Sequence, residues 1–291
     1  MENIDFFVIG AAKCGTSALD SYLSKHPDIY LANNEPNFFA QEVHGIHHTP
    51  KEEYWSGFAN SNKLLKGDVS PIYIFSKEAV ALIHEKYPTA KIIVLYRDPA
   101  KMAASWHNQM VKFWNEDQKD FKVAWNLQEQ RRLGKQVPDR LKNVDLVDYQ
   151  KMCSIGTQLK RVFEIVPRDQ ILVIRQDDLM NDTRSTYLKV LDFLGLKDDG
   201  QSDFKKVNPS AKIRSPFLHK YILRPYPFLR PVAKLMRSLG FDVRRSVTRA
   251  NFKSSNVTID PEFETLLRDT FKGEVEILES LLETDLREWK P

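Results

Sequence analysis

The stretch Val8 to Leu19, VIGAAKCGTSAL, reads as the end of an apolar strand, a glycine-flanked turn, two hydroxyls and the start of a helix. A turn between a buried strand and a helix offers an anion free backbone N–H groups and the positive end of the helix dipole. Gly10 and Gly15 let the chain turn tightly and let a phosphate approach the backbone. Their separation is that of the two glycines in the Walker pattern G-x-x-x-x-G-K-[ST], but the lysine stands between them, at Lys13, rather than after the second. Thr16 and Ser17 follow with hydroxyls to donate. The plain alternative is an ordinary strand–turn–helix with a solvated lysine.

Outward from this stretch, short apolar runs alternate with helical patterns. Residues 4–10 (IDFFVIG), 91–97 (KIIVLYR) and 170–175 (QILVIR) read as buried strands, with 63–69 (KLLKGDV) a weaker fourth. Helical periodicity runs over 17–26, 76–87, 99–114, 149–166 and 183–194. Strands separated by helices predict an α/β protein whose parallel sheet is covered on both faces. Ligands on such sheets bind at the carboxyl ends of the strands, which puts Gly10 onward and Arg97 onward at one crevice. Asp98-Pro99 and Asp260-Pro261 each read as an N-cap followed by proline at the first helical position, the second opening a last helix over 262–282. The Pro-interrupted, basic segment 205–255 reads as a lid or appendage rather than sheet. The expected organisation is one domain over 1–291: a core of about 1–204, the lid at 205–255 and a C-terminal helix at 260–283.

The whole sequence has 291 residues, 42% hydrophobic content and a net charge of +4, enough for a sizeable core and too mildly basic to name a partner. Two cysteines, Cys14 and Cys153, cannot build a disulfide framework and fit a reducing compartment. The N-terminus lacks a basic n-region followed by an apolar h-region, and no run approaches the ~18 apolar residues of a membrane span. A soluble cytoplasmic protein is expected.

The second chemistry-bearing stretch is KIIVLYRDPAKMAASWH, 91–107. It places Arg97 at a strand end and Ser105 two turns into the following helix. An arginine fork suits a phosphate, and Ser105 falls on a face able to return to the same crevice. The alternative has Arg97 capping the sheet edge and pairing with Asp98 or a neighbour.

Together and in this order the two stretches resemble the sulfotransferases that use 3′-phosphoadenosine 5′-phosphosulfate. The first is similar to the family's 5′-phosphosulfate loop, GxxKxGTT, and the second to its 3′-phosphate motif, RDPxxRxxS. HPDIYLANNEPNFF is similar to the HPD…KEPHFF segment of heparan-type and related bacterial members, GDVSPIYIF to GEKSPxYF, and RQDDLMNDTRSTYLKVLDFLGL to the YEDL…FLGL run. The resemblance covers residue 4 to about 215 and implies a P-loop-like three-layer fold.

It further implies a role for each matching residue. Lys13 would stabilise charge on the departing phosphate, with Cys14, Gly15, Thr16 and Ser17 around the 5′ end; Arg97 and Ser105 would hold the 3′-phosphate. Glu35, at the Glu of KEPHFF, would be the general base, with Asp68 in GDVSP the runner-up carboxylate and more often an orienting group. Lys212 and Arg214, in NPSAKIRSPF, would be a third donor contact, against a plain basic turn. Four positions depart from the pattern: Asn34 stands for a lysine, Asn37 for a histidine, Val69 for the active-site lysine and Met102 for the arginine of RDPxxR. The first three weigh against an anionic polysaccharide acceptor. Sulfuryl transfer, like phosphoryl transfer, asks mainly for positioning and charge stabilisation; a sulfuryl group carries one negative charge fewer, so no metal is expected.

Other features have plainer readings. His44, His47 and His48 lie close in sequence, but Gly45 argues for a loop rather than a metal site. Cys14, beside a helix N-terminus, should have a lowered pKa if it is redox-sensitive; a small packing residue is the alternative. Residues 217–253 hold nine Lys/Arg and one acid with aromatics interleaved, and could lie on an anionic membrane surface, guide an acceptor or form a flap over the site. Nothing supports a nucleic-acid module. The expectation is transfer of a sulfuryl group to a hydroxyl, less readily an amine, of a small-molecule, carbohydrate or lipid acceptor. The alternatives are a P-loop-type small-molecule kinase and a non-catalytic basic membrane-surface protein.

Overall fold

The computed structural model describes residues 3–33, 35–205, 211–213, 252–254 and 259–291. The chain divides into two compact units, Met1–Val207 with Ile259–Pro291, and Asn208–Thr258.

The first unit is built on five strands: β1 (Phe6–Gly10), β2 (Ile29–Leu31), β3 (Leu65–Val69), β4 (Lys91–Tyr96) and β5 (Ile171–Arg175). All pair in parallel, in the order β2-β3-β1-β4-β5. The expected α/β architecture is what forms. Every residue of β1 is buried, because helices cover both faces of a parallel sheet and leave the central strand no polar side. The chain builds the β2–β3 side first and then crosses β1 to β4 and β5. The order in which strands are added therefore reverses between β1 and β4, the place where such folds open a crevice beyond the strand ends.

The helices are α1 (Thr16–Leu23), α2 (Lys51–Ala59), α3 (Ala79–Lys86), α4 (Pro99–Lys112), α5 (Phe121–Asn126), α6 (Gln128–Arg132), α7 (Tyr149–Met152), α8 (Ile155–Ile165), α9 (Gln176–Asn181), α10 (Thr183–Leu194) and α11 (Pro261–Leu282). α3, α8, α11 and α4 pack in a row, each on the next. α1 and α10 are joined through Phe204, whose ring meets Tyr22 at 5.0 Å and Tyr187 at 5.3 Å. The segment after α4 is pinned by Arg131, whose fork meets Glu116 at 2.6 and 2.7 Å with both side chains buried; Tyr149 donates to the same carboxylate at 2.5 Å.

Three expectations are corrected. β2 was not foreseen, because a three-residue strand is too short to show a period. The helix expected over 149–166 is two helices: Ser154 donates its hydroxyl to the Gln150 carbonyl at 2.8 Å and breaks the ladder before Ile155. Asp260 and Pro261 do stand at the N-cap and first helical position of α11, although the Asp260 side chain makes no capping hydrogen bond and lies 3.7 Å from Lys122. The second unit does contain sheet, since β6 (Ala211–Ile213) pairs antiparallel with β7 (Phe252–Ser254); two three-residue strands far apart in sequence leave no pattern to read.

Asp98 does cap α4, accepting from the Ala100 N–H at 2.9 Å with Pro99 next to it. Asp98→Ala is expected to lower the unfolding free energy by about 1–2 kcal/mol, read as an earlier urea midpoint with unchanged slope.

Candidate active site

The turn after β1 is forced by two glycines. A Cβ at Gly10 would lie 2.3 Å from Ile74 Cγ2, so no side chain fits there. Gly15 adopts φ 97, in the left-handed region, with Leu179 packed against it. Gly15 is the N-cap of α1 and supplies no side-chain cap. The first intrahelical bonds come from Ala18 and Leu19, both to the Gly15 carbonyl. The N–H groups of Gly15, Thr16 and Ser17 have no acceptor among the described residues and are open to an anion.

Lys13 also sits in the left-handed region, φ 68, as do Glu35 at φ 49 and Asn37 at φ 50. Non-glycine residues held there cost of order 1–2 kcal/mol each and gather at functional sites. The Lys13 ammonium donates to Gln109 Oε1 at 2.7 Å. Burial and the nearby Lys112 and Arg97 charges pull it down to about 8, while Glu35 pulls it back up. Burial pushes the Glu35 carboxyl above its ordinary value; Lys13 lowers it and Asp20 raises it further. Arg97, at the end of β4, donates from Nη1 to the Lys13 carbonyl at 3.1 Å. The strand ends of β1 and β4 thus meet at one place, and Lys13 lies within reach of the charges of both Glu35 and Arg97. Asp98 is not Arg97's partner: its carboxylate holds Ala100 and lies near Arg268 and Lys101.

Ser105 lies on a half-buried stripe of α4 with Gln109 and Lys112, at spacings i, i+4 and i+7. That stripe faces the crevice, since Gln109 holds Lys13. Gln109 and Lys112 were missed in the sequence, although their distance from Ser105 in the heptad was the signal. Asp20 was missed too; it is i+3 from Ser17 on the less buried side of α1, and burial raises its carboxyl to about 6.

Two assignments change. Cys14 is wholly buried, its thiol against Met102 Sδ at 3.9 Å and the Ala12 carbonyl, and its N–H bonded to the Ala11 carbonyl. Burial pushes the thiol up to about 12, outweighing Arg97 and Lys13, so the lowering expected of a helix N-terminus does not occur. Cys14 packs, and fully buried Met102 is its partner where the family pattern has an arginine. Asp68 is fully buried under three hydroxyls, Tyr54 and Tyr73 at 2.8 Å and Ser70 at 2.7 Å, which leaves no approach for an acceptor. Lys212 falls on β6, and Arg214 lies outside the described residues, as does nearly all of 217–253. Of the neighbouring histidines, His48 is held between the Asn37 and Val43 carbonyls at 3.0 and 3.1 Å. Among the described residues no group of three or more His, Cys, Asp or Glu is placed to hold a metal ion, and no helix is long and apolar enough to cross a membrane.

The sulfotransferase domain model matches residues 3–211. The chain belongs to the sulfotransferase family. It is 28% identical over 198 residues to heparan sulfate glucosamine 3-O-sulfotransferase 3B1 of Mus musculus, covering 65% of this chain and 45% of that protein. It is 33% identical over 113 residues to the membrane-associated sulfotransferase kil1 of Dictyostelium discoideum, covering 38% of this chain and 23% of that one. The chain therefore matches less than half the length of these curated relatives. Among solved structures, a sulfotransferase from Alicyclobacillus acidocaldarius shares the fold with a TM-score of 0.73 and 22% identity, covering 99% of both chains. The donor of this family is 3′-phosphoadenosine 5′-phosphosulfate, and the crevice suits its two anionic ends: open N–H groups with Lys13 on one side, Arg97 and the α4 stripe on the other.

Proposed function

We propose that this sulfotransferase passes a sulfuryl group from 3′-phosphoadenosine 5′-phosphosulfate directly to an acceptor hydroxyl. The observation that carries this reading is the meeting of the β1 and β4 ends, with Arg97 bonded to the backbone of Lys13. Lys13 supports the phosphate that gains charge as the sulfuryl group leaves, together with the N–H groups of Gly15 to Ser17. Arg97 and Ser105 take the 3′-phosphate. Glu35 accepts the proton of the attacking hydroxyl; its burial makes it a stronger base than a solvated glutamate.

The acceptor is a carbohydrate or another small hydroxyl compound, the named activity of the curated relatives supporting the first. The missing cations at Asn34, Asn37 and Val69, with Asp20 beside Glu35, disfavour a polyanion. Contact of 217–253 with a membrane belongs to the same reading, supported by its charge alone. So does a cytoplasmic setting, supported by Cys14 and Cys153 being free and buried.

The test is calorimetric titration without magnesium. 3′-Phosphoadenosine 5′-phosphate should bind, and ATP–Mg²⁺ should not; the reverse would point to a kinase. Arg97→Ala is expected to weaken binding of the bisphosphate by about 1.5–3 kcal/mol, the worth of a charge-assisted hydrogen bond. Unchanged titration would remove Arg97 from the site. A screen of donor with a glucosamine oligosaccharide, a phenol and an aliphatic alcohol, read by release of the bisphosphate, identifies the acceptor class.

A further inference from the structure

We propose that Asp68 is a positioning residue for catalysis: a buried carboxylate whose three hydroxyl partners clamp the loop that presents Glu35. The inference rests on the reading of Glu35 as the base.

Each partner of Asp68 grips one of three successive residues. Ser70 donates to Asp68 at 2.7 Å and accepts the Asn37 N–H at 2.9 Å. Tyr54 donates at 2.8 Å, and its ring stacks on Phe38 with centroids 4.3 Å apart and planes 4° from parallel. Tyr73 donates at 2.8 Å and receives the Phe39 N–H at 3.4 Å. A hydroxyl has one proton to give, and an acceptor that takes it fixes which way its lone pairs face. Because Asp68 takes all three protons, Ser70 and Tyr73 must present lone pairs to the Asn37 and Phe39 amides. An ionised carboxylate is the side chain that accepts three donors at once without donating.

The other side of the loop is also tied: the Thr49 N–H donates to the Pro36 carbonyl at 2.9 Å, and the Asn37 amide to the His47 carbonyl at 3.0 Å. Glu35 and Asn37 both hold left-handed backbone, a conformation that relaxes unless its surroundings enforce it. Asp68 stands near the end of β3, next to β1 in the sheet, so the clamp registers the base against the strand that leads into the Lys13 turn.

Asp68→Asn places an amide N–H against hydroxyl donors, reverses at least one of them and frees a grip. In the folded variant, turnover should fall about 10–100-fold, the size seen when a supporting partner of a functional ligand is lost. Binding of 3′-phosphoadenosine 5′-phosphate should change less than twofold, and amide exchange at Asn37 and Phe39 should quicken. A Ser70→Ala, Tyr73→Phe double variant leaves Asp68 in place, removes two grips and should show the same split; it decides the matter if Asp68→Asn does not fold. Turnover is read as bisphosphate release with donor and water, and again with a glucosamine oligosaccharide. Turnover within twofold of the parent in a folded variant, or an equal loss of bisphosphate affinity, overturns the clamp. Glu35→Gln run in parallel separates the two claims. If that variant stays active, the base assignment falls by itself; if it is dead while Asp68→Asn is active, the clamp alone falls.

Discussion

Lys13→Ala should lower turnover by roughly 10²–10³-fold, the cost of removing one donor aimed at developing charge, while binding of 3′-phosphoadenosine 5′-phosphate weakens by less than tenfold. The contact strengthens as the leaving phosphate gains charge, so the transition state loses more than the ground state. Calorimetry beside steady-state kinetics separates the two, and equal losses would assign Lys13 to simple binding. The same residue predicts a pH dependence. The free protein holds the Lys13 ammonium protonated below about 8 and neutral above it. The ratio kcat/KM for the donor should therefore show an alkaline limb there, falling about tenfold per pH unit beyond it. Lys13→Arg keeps the charge and should move this alkaline limb out of range, whatever it does to the maximum. A limb that stays at the same pH in Lys13→Arg belongs to another group.

Glu35→Gln is expected to cost roughly 10²–10⁴-fold in turnover, the span of general acid–base catalysis by one side chain. The glutamine keeps the shape and removes the proton acceptor. Glu35 must be ionised to act, and burial holds its carboxyl above the ordinary range. The acid limb of the parent's kcat/KM profile should accordingly lie above the usual glutamate region, with activity lost as pH falls through it. In Glu35→Gln the residual rate should lose that limb. A variant that keeps both the rate and the limb would return the proton to some other acceptor, and half-buried Asp20, whose charge acts on Glu35, would be the first to test.

The phosphate-loop stretch and the Arg97 stretch were legible because each combines a buried strand with a turn whose chemistry has few uses. Gly10, Gly15 and the Asp98-Pro99 helix start were fixed by backbone requirements that the structure repeats. What stayed hidden depends on contacts across the sheet. For Cys14 the sequence left an activated thiol and a packing residue side by side; the arrival of Met102 from α4 shows why burial wins. Asp68 read as an orienting group more than as a base, but its three hydroxyl partners, Tyr54 on α2, Ser70 and Tyr73, converge in a way that no spacing rule reveals. Gln109 and Lys112 continue the Ser105 face, which the sequence could turn toward the crevice, but only the Lys13 contact shows that Gln109 reaches the phosphate loop.

The guanidinium at the end of β4 already leans on the carbonyl of the residue that leads the departing phosphate. In the proposed reading, the receptor for one end of the nucleotide and the machinery at the other are thus joined as a single strut. A donor analogue lacking its distant phosphate would do more than hold on loosely: it would leave that strut unloaded, and the loss would surface in the speed of the reaction as well as in occupancy.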